Sequence, residues 1–186
     1  MSRRLSRQFA STAFALALAG TSTLPAQTPK ITGYQVKAAY LANFGRFVEW
    51  PAVANLATKS ETFNICVLGQ NPFGADLDAA VANETIDGAH MVAKRISQPQ
   101  DAVDCRIVFI SASEAGQWKE ILAALGTLSI LTVSDMPQFS RRGGIIQFLL
   151  DGNKVRFEIN LAATERVGLK LSSQLLKLAV TVSRSP

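Results

Sequence analysis

The sequence predicts a single α/β domain: a mainly parallel sheet with helices on both faces, closed by a C-terminal β-hairpin and a helix. Two observations carry this prediction. Apolar runs at 63–69, 105–111 and 128–133 alternate with segments of helical periodicity, which is typical of parallel strands joined by crossover helices. Asp151, Gly152 and Asn153 separate two further apolar runs, and this spacing indicates a hairpin.

Residues 1–26 have the anatomy of a secretory signal peptide. A start with three arginines precedes an apolar run of 11 residues at 9–19 and then small polar residues. The run is too short to cross a membrane, which takes about 20 apolar residues. We predict cleavage after Ala26, so that residues 27–186 form the exported domain.

The composition excludes several classes of protein. With 48% hydrophobic and 18% charged residues, the chain is neither disordered nor a bundle of membrane helices. Its formal charge of +5 first suggests a nucleic-acid partner. Removal of residues 1–26 takes three of the 19 basic residues and none of the 14 acidic ones, which leaves +2. We therefore predict no nucleic-acid partner.

The first helix is predicted to begin after Thr32, because Thr32 and Gln35 have the spacing of a capping box. An apolar stripe follows, and Pro51 ends the helix after Trp50. After the strand at 63–69, Asn71 and the following proline predict a second helix that reaches about residue 83.

The middle of the chain continues the alternation of strands and helices. Ser111 and Glu114 form a second capping box, and Gly126 ends the helix that this box predicts. The other predicted elements are a turn at 85–88, strands at 90–96, 105–111 and 128–133, hairpin strands at 145–150 and 154–160, and helical material at 161–183, interrupted near Gly168.

The two cysteines favour a structural disulfide. Cys66 and Cys105 lie in predicted strands of an exported chain, without the spacing of a metal or redox motif. A bond between them would close a loop of about 40 residues and stabilise the fold by roughly 4 kcal/mol. Two buried free thiols are the alternative.

The sequence argues against catalysis. His90 is the only histidine, and it has neither the neighbours of a catalytic triad nor the companions of a zinc site. We predict no catalytic residue, no metal site and no cofactor, and we interpret His90 as a surface residue at the start of a strand.

Motifs along the chain resemble the YfiR-like (DUF4154) family of exported regulatory proteins. They cover nearly the whole predicted mature chain, in the family's order. The matching segments are VKAAYLANFGRFVEWP at 36–51, ICVLG at 65–69, NPF at 71–73, DC at 104–105, LTVSD at 131–135, GGIIQF at 143–148, VRFEIN at 155–160 and GLKLSSQLL at 168–176.

The resemblance implies a periplasmic repressor of a membrane-bound diguanylate cyclase or a sensor kinase. It also implies communication with an outer-membrane lipoprotein, and a homodimer. Cys66 and Cys105 match one cysteine pair of the family. A second family pair, near 143–153, has no counterpart, because the chain has no other cysteine.

Two surfaces are candidates for binding. The aromatic residues of the first helix are candidates for a partner surface, although amphipathic stripes usually face the core; they are Tyr40, Phe44, Phe47 and Trp50. The alternative function is a periplasmic small-molecule sensor without a cyclase partner. Its cleft would lie at the carboxyl ends of the strands, between Asn71 and Asp135.

Overall fold

An eight-stranded sheet with helices on both faces organises the fold. The computed structural model describes residues 32–51 and 61–184, and these contain five α-helices and ten strands. In chain order they are α1 (Gly33–Phe44), β1 (Val48–Glu49), β2 (Thr62–Leu68), α2 (Asp76–Val81), β3 (Thr85–Ile86), β4 (Ala89–Ile96), β5 (Cys105–Ile110), α3 (Trp118–Leu125), β6 (Leu131–Ser134), β7 (Ile146–Asp151), β8 (Lys154–Asn160), α4 (Leu161–Arg166), β9 (Lys170–Leu171), α5 (Ser173–Leu178) and β10 (Thr181–Ser183).

The sheet is mainly parallel, as predicted. Its strand order is β10-β8-β7-β6-β5-β2-β4-β3, and only the β7–β8 and β3–β4 pairs are antiparallel. Strands β2, β5 and β6 are almost entirely buried, which explains why they appear in the sequence as continuous apolar runs. A separate two-stranded ribbon pairs β1 with β9.

Helices cover both faces of the sheet, and each face has its own apolar cluster. Phe109 of β5 belongs to the cluster under α1, α2 and α5. Its neighbour Val108 points to the opposite face and belongs to the cluster under α3. This alternation is the two-residue period of a strand that is buried on both sides. The predicted fold class is therefore confirmed.

The capping box of α1 is present, but the helix is shorter than predicted. Thr32 Oγ1 accepts from the Gln35 N–H at 3.2 Å, and Gln35 Oε1 accepts from the Thr32 N–H at 2.9 Å. The helix ends at Phe44, so the predicted end at Trp50 is wrong. A 3-10 turn follows, and then the backbone extends into β1, which pairs with β9 far along the chain.

Helices α2 and α3 begin later than predicted. Asn71 caps a turn instead of a helix, and α2 begins at Asp76. Ser111 caps a 3-10 turn, and α3 begins at Trp118. The carboxylate of Glu114 accepts from Gln117 Nε2 at 2.8 Å and does not close the predicted capping box.

The C-terminal hairpin is confirmed, and so is the interruption of the following helical material near Gly168, but the helices on either side of it are shorter than predicted. Strands β7 and β8 pair in register from Asp151–Lys154 to Ile146–Ile159. Beyond them the chain forms two six-residue helices and two short strands. Gly168 has a φ of +72° between α4 and β9, a conformation that breaks the helix. The last strand, β10, is the edge of the sheet beside β8.

The predicted signal peptide at 1–26 lies outside the described residues. Within the ranges 32–51 and 61–184, no helix has the length and hydropathy of a membrane span.

Candidate functional site: an apolar groove beside the edge strand

A concave apolar surface lies between α1 and α5, and we call it the α1/α5 groove. Its volume is about 350 Å³. Among its described lining residues, the polar groups are the Asn43 amide and the Tyr40 hydroxyl. The others are Val36, Ala39, Phe44, Phe47, Phe157, Leu175 and Leu178. A groove of this composition suits an apolar segment of another molecule, because it offers contact area and few polar groups that must be satisfied.

The four aromatic residues predicted as a partner surface are divided between the core and the groove. Phe44 is 1% exposed and packs on Phe157 with ring centroids 5.3 Å apart. Tyr40 and Phe47 are half-buried, and both line the groove. Trp50 does not line it, because its ring packs edge-on against Phe63 of β2. Tyr40 and Phe47 are therefore the members best placed to contact a partner.

Exposed apolar side chains continue from the groove toward the edge of the sheet. Leu178 lines the groove and is 59% exposed, and Val180 and Val182 beyond it are 50% and 40% exposed. Val182 lies in β10, which pairs with β8 on one side and is the edge strand among the described residues. Apolar surface next to an unpaired strand edge is typical of sites that bind another chain.

Asn71, one of the two predicted ligand-binding residues, is engaged in its own turn. Its Oδ1 accepts from the Phe73 N–H at 3.0 Å, and its Nδ2 donates to the Gly74 carbonyl at 3.0 Å. The turn follows β2 and directs Phe73 onto Phe109 in the core. Its geometry accounts for the Asn-Pro pair without a ligand.

Asp135, the other predicted ligand-binding residue, holds α1 against the sheet. Its Oδ2 accepts from Lys37 Nζ at 2.5 Å and from the Tyr34 hydroxyl at 2.9 Å. The Lys37 and Asp135 side chains are only 8% and 13% exposed. Tyr34 also packs on Phe73, so α1 bridges the loops after β2 and β6. Ligand binding at Asn71 and Asp135 stays a prediction, and a ligand there would displace these internal contacts.

The environment of Tyr34 makes the free energy of unfolding depend on pH in the alkaline range. Burial, the hydrogen bond to Asp135 and the charge of that carboxylate raise the pKa of Tyr34 to about 12. Between pH 10 and pH 12 the unfolded chain loses this proton while the folded chain keeps it, so the free energy of unfolding falls as pH rises. We expect Tyr34→Phe to remove this part of the decline when denaturant unfolding is measured from pH 9 to pH 12. Identical pH profiles for the two proteins would contradict the assignment.

The predicted disulfide is present. Cys66 of β2 and Cys105 of β5 are bonded, with Cα atoms 6.0 Å apart. Both residues are buried in the cluster under α3, at 0% and 4% exposure. The bond therefore joins two neighbouring central strands of the sheet.

The described part of the chain contains no candidate metal cluster, and its one histidine lies apart from the groove. His90 is exposed at the start of β4, where its backbone pairs with β3 and β2. Among residues 32–51 and 61–184, no group of three or more His, Cys, Asp or Glu side chains is placed to hold a metal ion.

Sequence reasoning missed Lys37 and the contribution of α5 to the groove. Lys37 precedes Leu41 by four residues and so lies on the apolar face of α1. A lysine on a buried face indicates a buried anionic partner, and this signal was available. The groove is lined by residues of α1 and α5 that lie more than 120 positions apart, and no local pattern indicates that they line the same surface.

Comparison with known proteins identifies the family. A family model described as YfiR/HmsC-like matches residues 34–180. The chain belongs to this family. The match spans both the α1/α5 groove and the disulfide, and the predicted resemblance to the YfiR-like (DUF4154) family is confirmed. Proteins of the YfiR/HmsC-like family are regulatory rather than catalytic.

Solved structures share the fold at low identity. A conserved domain protein from Vibrio cholerae O1 biovar El Tor matches with a TM-score of 0.55 and 12% identity, over 82% of this chain and 61% of that one. The ABC domain from Streptococcus pneumonia, solved in complex with L-Trp, matches with a TM-score of 0.52 and 9% identity, over 78% and 60%. This chain thus spans about 60% of the length of either structure. The likeness supports the α/β fold alone.

Proposed function

We propose that the protein is a periplasmic repressor of an inner-membrane diguanylate cyclase. It binds the periplasmic part of the cyclase, favours the inactive state and so lowers cyclic-di-GMP. The observation that carries the proposal is the α1/α5 groove in a member of a regulatory family. A sensor kinase with a similar periplasmic part would be repressed in the same way, and an outer-membrane lipoprotein is the second partner that family membership suggests.

The chemistry of the groove defines what the partner must present. The lining is apolar, and Leu178 remains 59% exposed at its rim. An amphipathic helix or an apolar loop of the cyclase would bury Leu178 together with Tyr40 and Phe47. Burial of apolar surface is the dominant favourable contribution in most protein–protein contacts, at about 25 cal/mol per Å².

Repression requires different affinities for the two states of the cyclase. A protein that bound the active and inactive forms equally would change nothing, however tightly it bound. We propose that the segment occupying the groove is accessible in the inactive form and withdrawn in the active one. The regulator then acts stoichiometrically and without chemistry of its own.

Export to the periplasm is part of this proposal. Residues 1–26 would direct secretion and be removed after Ala26, leaving a domain at 27–186. The Cys66–Cys105 disulfide supports this location, because such bonds persist in oxidising compartments.

A pair of matched substitutions tests the function. Deletion of the gene is expected to raise cellular cyclic-di-GMP, and the wild-type gene should restore it. Leu178→Glu should fail to restore it, because a carboxylate would be buried in the apolar contact. It should also abolish recovery of the cyclase in a periplasmic pulldown.

Val103→Glu is the control for this experiment. Val103 is 74% exposed and does not line the groove, so this variant introduces the same charge at an exposed apolar position. It should repress like the wild type. Unchanged cyclic-di-GMP after deletion, together with a pulldown that yields no cyclase, would reject the repressor function. Full repression by Leu178→Glu would reject the groove as the binding surface.

A further inference from the structure

A second cavity, separate from the α1/α5 groove, has a cationic rim. Its volume is about 560 Å³, within the range of small-molecule sites. It lies between α3, the segment before β6, the turn at 140–143 and α4, and none of its described lining residues also lines the groove. We call it the α3/α4 cavity.

Three cations line the α3/α4 cavity. The Arg142 guanidinium lies 5.3 Å from the centroid of the Trp118 ring, and Lys119 Nζ lies 5.8 Å from it. Arg166 Nη2 donates to the Gly143 carbonyl at 3.3 Å. None of the described lining residues is acidic. Within residues 32–51 and 61–184, none of the three cations forms a salt bridge with a carboxylate.

The rest of the lining is apolar. Leu122, Ile145 and Val167 surround the cavity beside the indole of Trp118. A further cavity of about 300 Å³ is also lined by Trp118 and Arg142, so this stacked pair lies between two concave surfaces. An aromatic face next to guanidinium groups that form no salt bridge with a described carboxylate offers stacking and charge-assisted hydrogen bonds to one ligand.

We propose that the α3/α4 cavity binds a small organic anion. Arg142, Arg166 and Lys119 hold its carboxylate, phosphate or sulfonate group, and its apolar body packs on Trp118. Arginine suits this role because its planar fork binds such groups in a bidentate manner. The site does not depend on the proposed cyclase partner, since its residues are distinct from those of the groove.

The test uses the purified protein and a fluorescent organic anion, anilinonaphthalene sulfonate. We expect Arg142→Gln combined with Arg166→Gln to raise its dissociation constant by at least about tenfold, through the loss of charge-assisted hydrogen bonds. The neutral dye without the sulfonate should bind more weakly, and the substitutions should not change its affinity. Phenyl phosphate should displace the anionic dye at lower concentration than inorganic phosphate does.

Controls separate the α3/α4 cavity from general charge and from the groove. Lys154→Gln combined with Arg156→Gln removes two exposed positive charges that do not line the cavity, and it should leave the affinity unchanged. Leu178→Glu should also leave it unchanged. Equal affinity of the Arg142→Gln/Arg166→Gln variant and the wild type would overturn the proposal. So would equal binding of the neutral dye, or loss of binding in Leu178→Glu.

Discussion

Reduction of the Cys66–Cys105 disulfide is expected to lower the free energy of unfolding by about 4 kcal/mol. The bond links residues 39 positions apart. Its loss increases the conformational entropy of the unfolded chain more than that of the folded chain, and this favours unfolding. A domain of this size has a total stability of about 5–15 kcal/mol. The reduced protein should therefore unfold at a clearly lower denaturant concentration. Urea unfolding with and without reductant measures the difference.

The double variant Cys66→Ala/Cys105→Ala is the control for effects of the reductant itself. Its unfolding midpoint should be low and the same in both conditions. The wild type should titrate as two free thiols after reduction and as none before it. An unchanged midpoint in a sample with two titrated thiols would show that the cross-link does not stabilise this domain.

The predictions from sequence succeeded where the structure is local or buried on both faces. The apolar run of β2 and the Asp-Gly-Asn turn between β7 and β8 specify their own conformation, because neighbouring residues supply the pattern. The disulfide followed from two cysteines in predicted strands of an exported chain. The strand and the turn depend little on distant contacts, whereas the disulfide is a long-range contact that the compartment and the cysteine count made predictable; the structure contains all three.

The predictions failed where distant residues determine the backbone. The apolar stripe that begins in α1 continues to Val48, but the chain leaves the helix after Phe44 and Val48 pairs with Leu171. The Ser172 N–H donates to the Phe47 carbonyl at 2.9 Å, which fixes the same junction. These partners lie more than 120 residues away, and tertiary pairing here overrides helical periodicity.

The candidate site was predictable in part for the same reason. Tyr40 and Phe47 belong to a recognisable stripe, so their aromatic surface could be found in the sequence. The opposite wall of the groove comes from Leu175 and Leu178 of α5, which lie in the predicted helical material, but their periodicity does not indicate which element they face. Sequence patterns identified one side of the groove, and only the fold shows that the two sides meet.

Removal of one partner of the Lys37–Asp135 ion pair is expected to destabilise the protein by about 3–5 kcal/mol. In Asp135→Leu the Lys37 ammonium, whose side chain is 8% exposed, would remain buried without its counter-charge. The Tyr34 hydroxyl would lose its acceptor as well. Lys37→Met should have a similar effect by leaving the carboxylate unpaired. Chemical denaturation of both variants measures the change.

The double variant Lys37→Met/Asp135→Leu distinguishes an unpaired charge from lost packing. It contains neither charge, so it should recover most of the stability lost in the single variants. The exposed pair Arg184–Glu165, at 72% and 62% side-chain exposure, is the matched control, and Glu165→Ala should change stability by less than about 1 kcal/mol. If the double variant were as unstable as the sum of the single ones, the two charges would not be coupled. The Lys37–Asp135 pair joins α1 to the loop after β6. If the double variant recovers its stability, measuring cyclic-di-GMP in cells that carry it shows whether repression through the α1/α5 groove requires this ion pair.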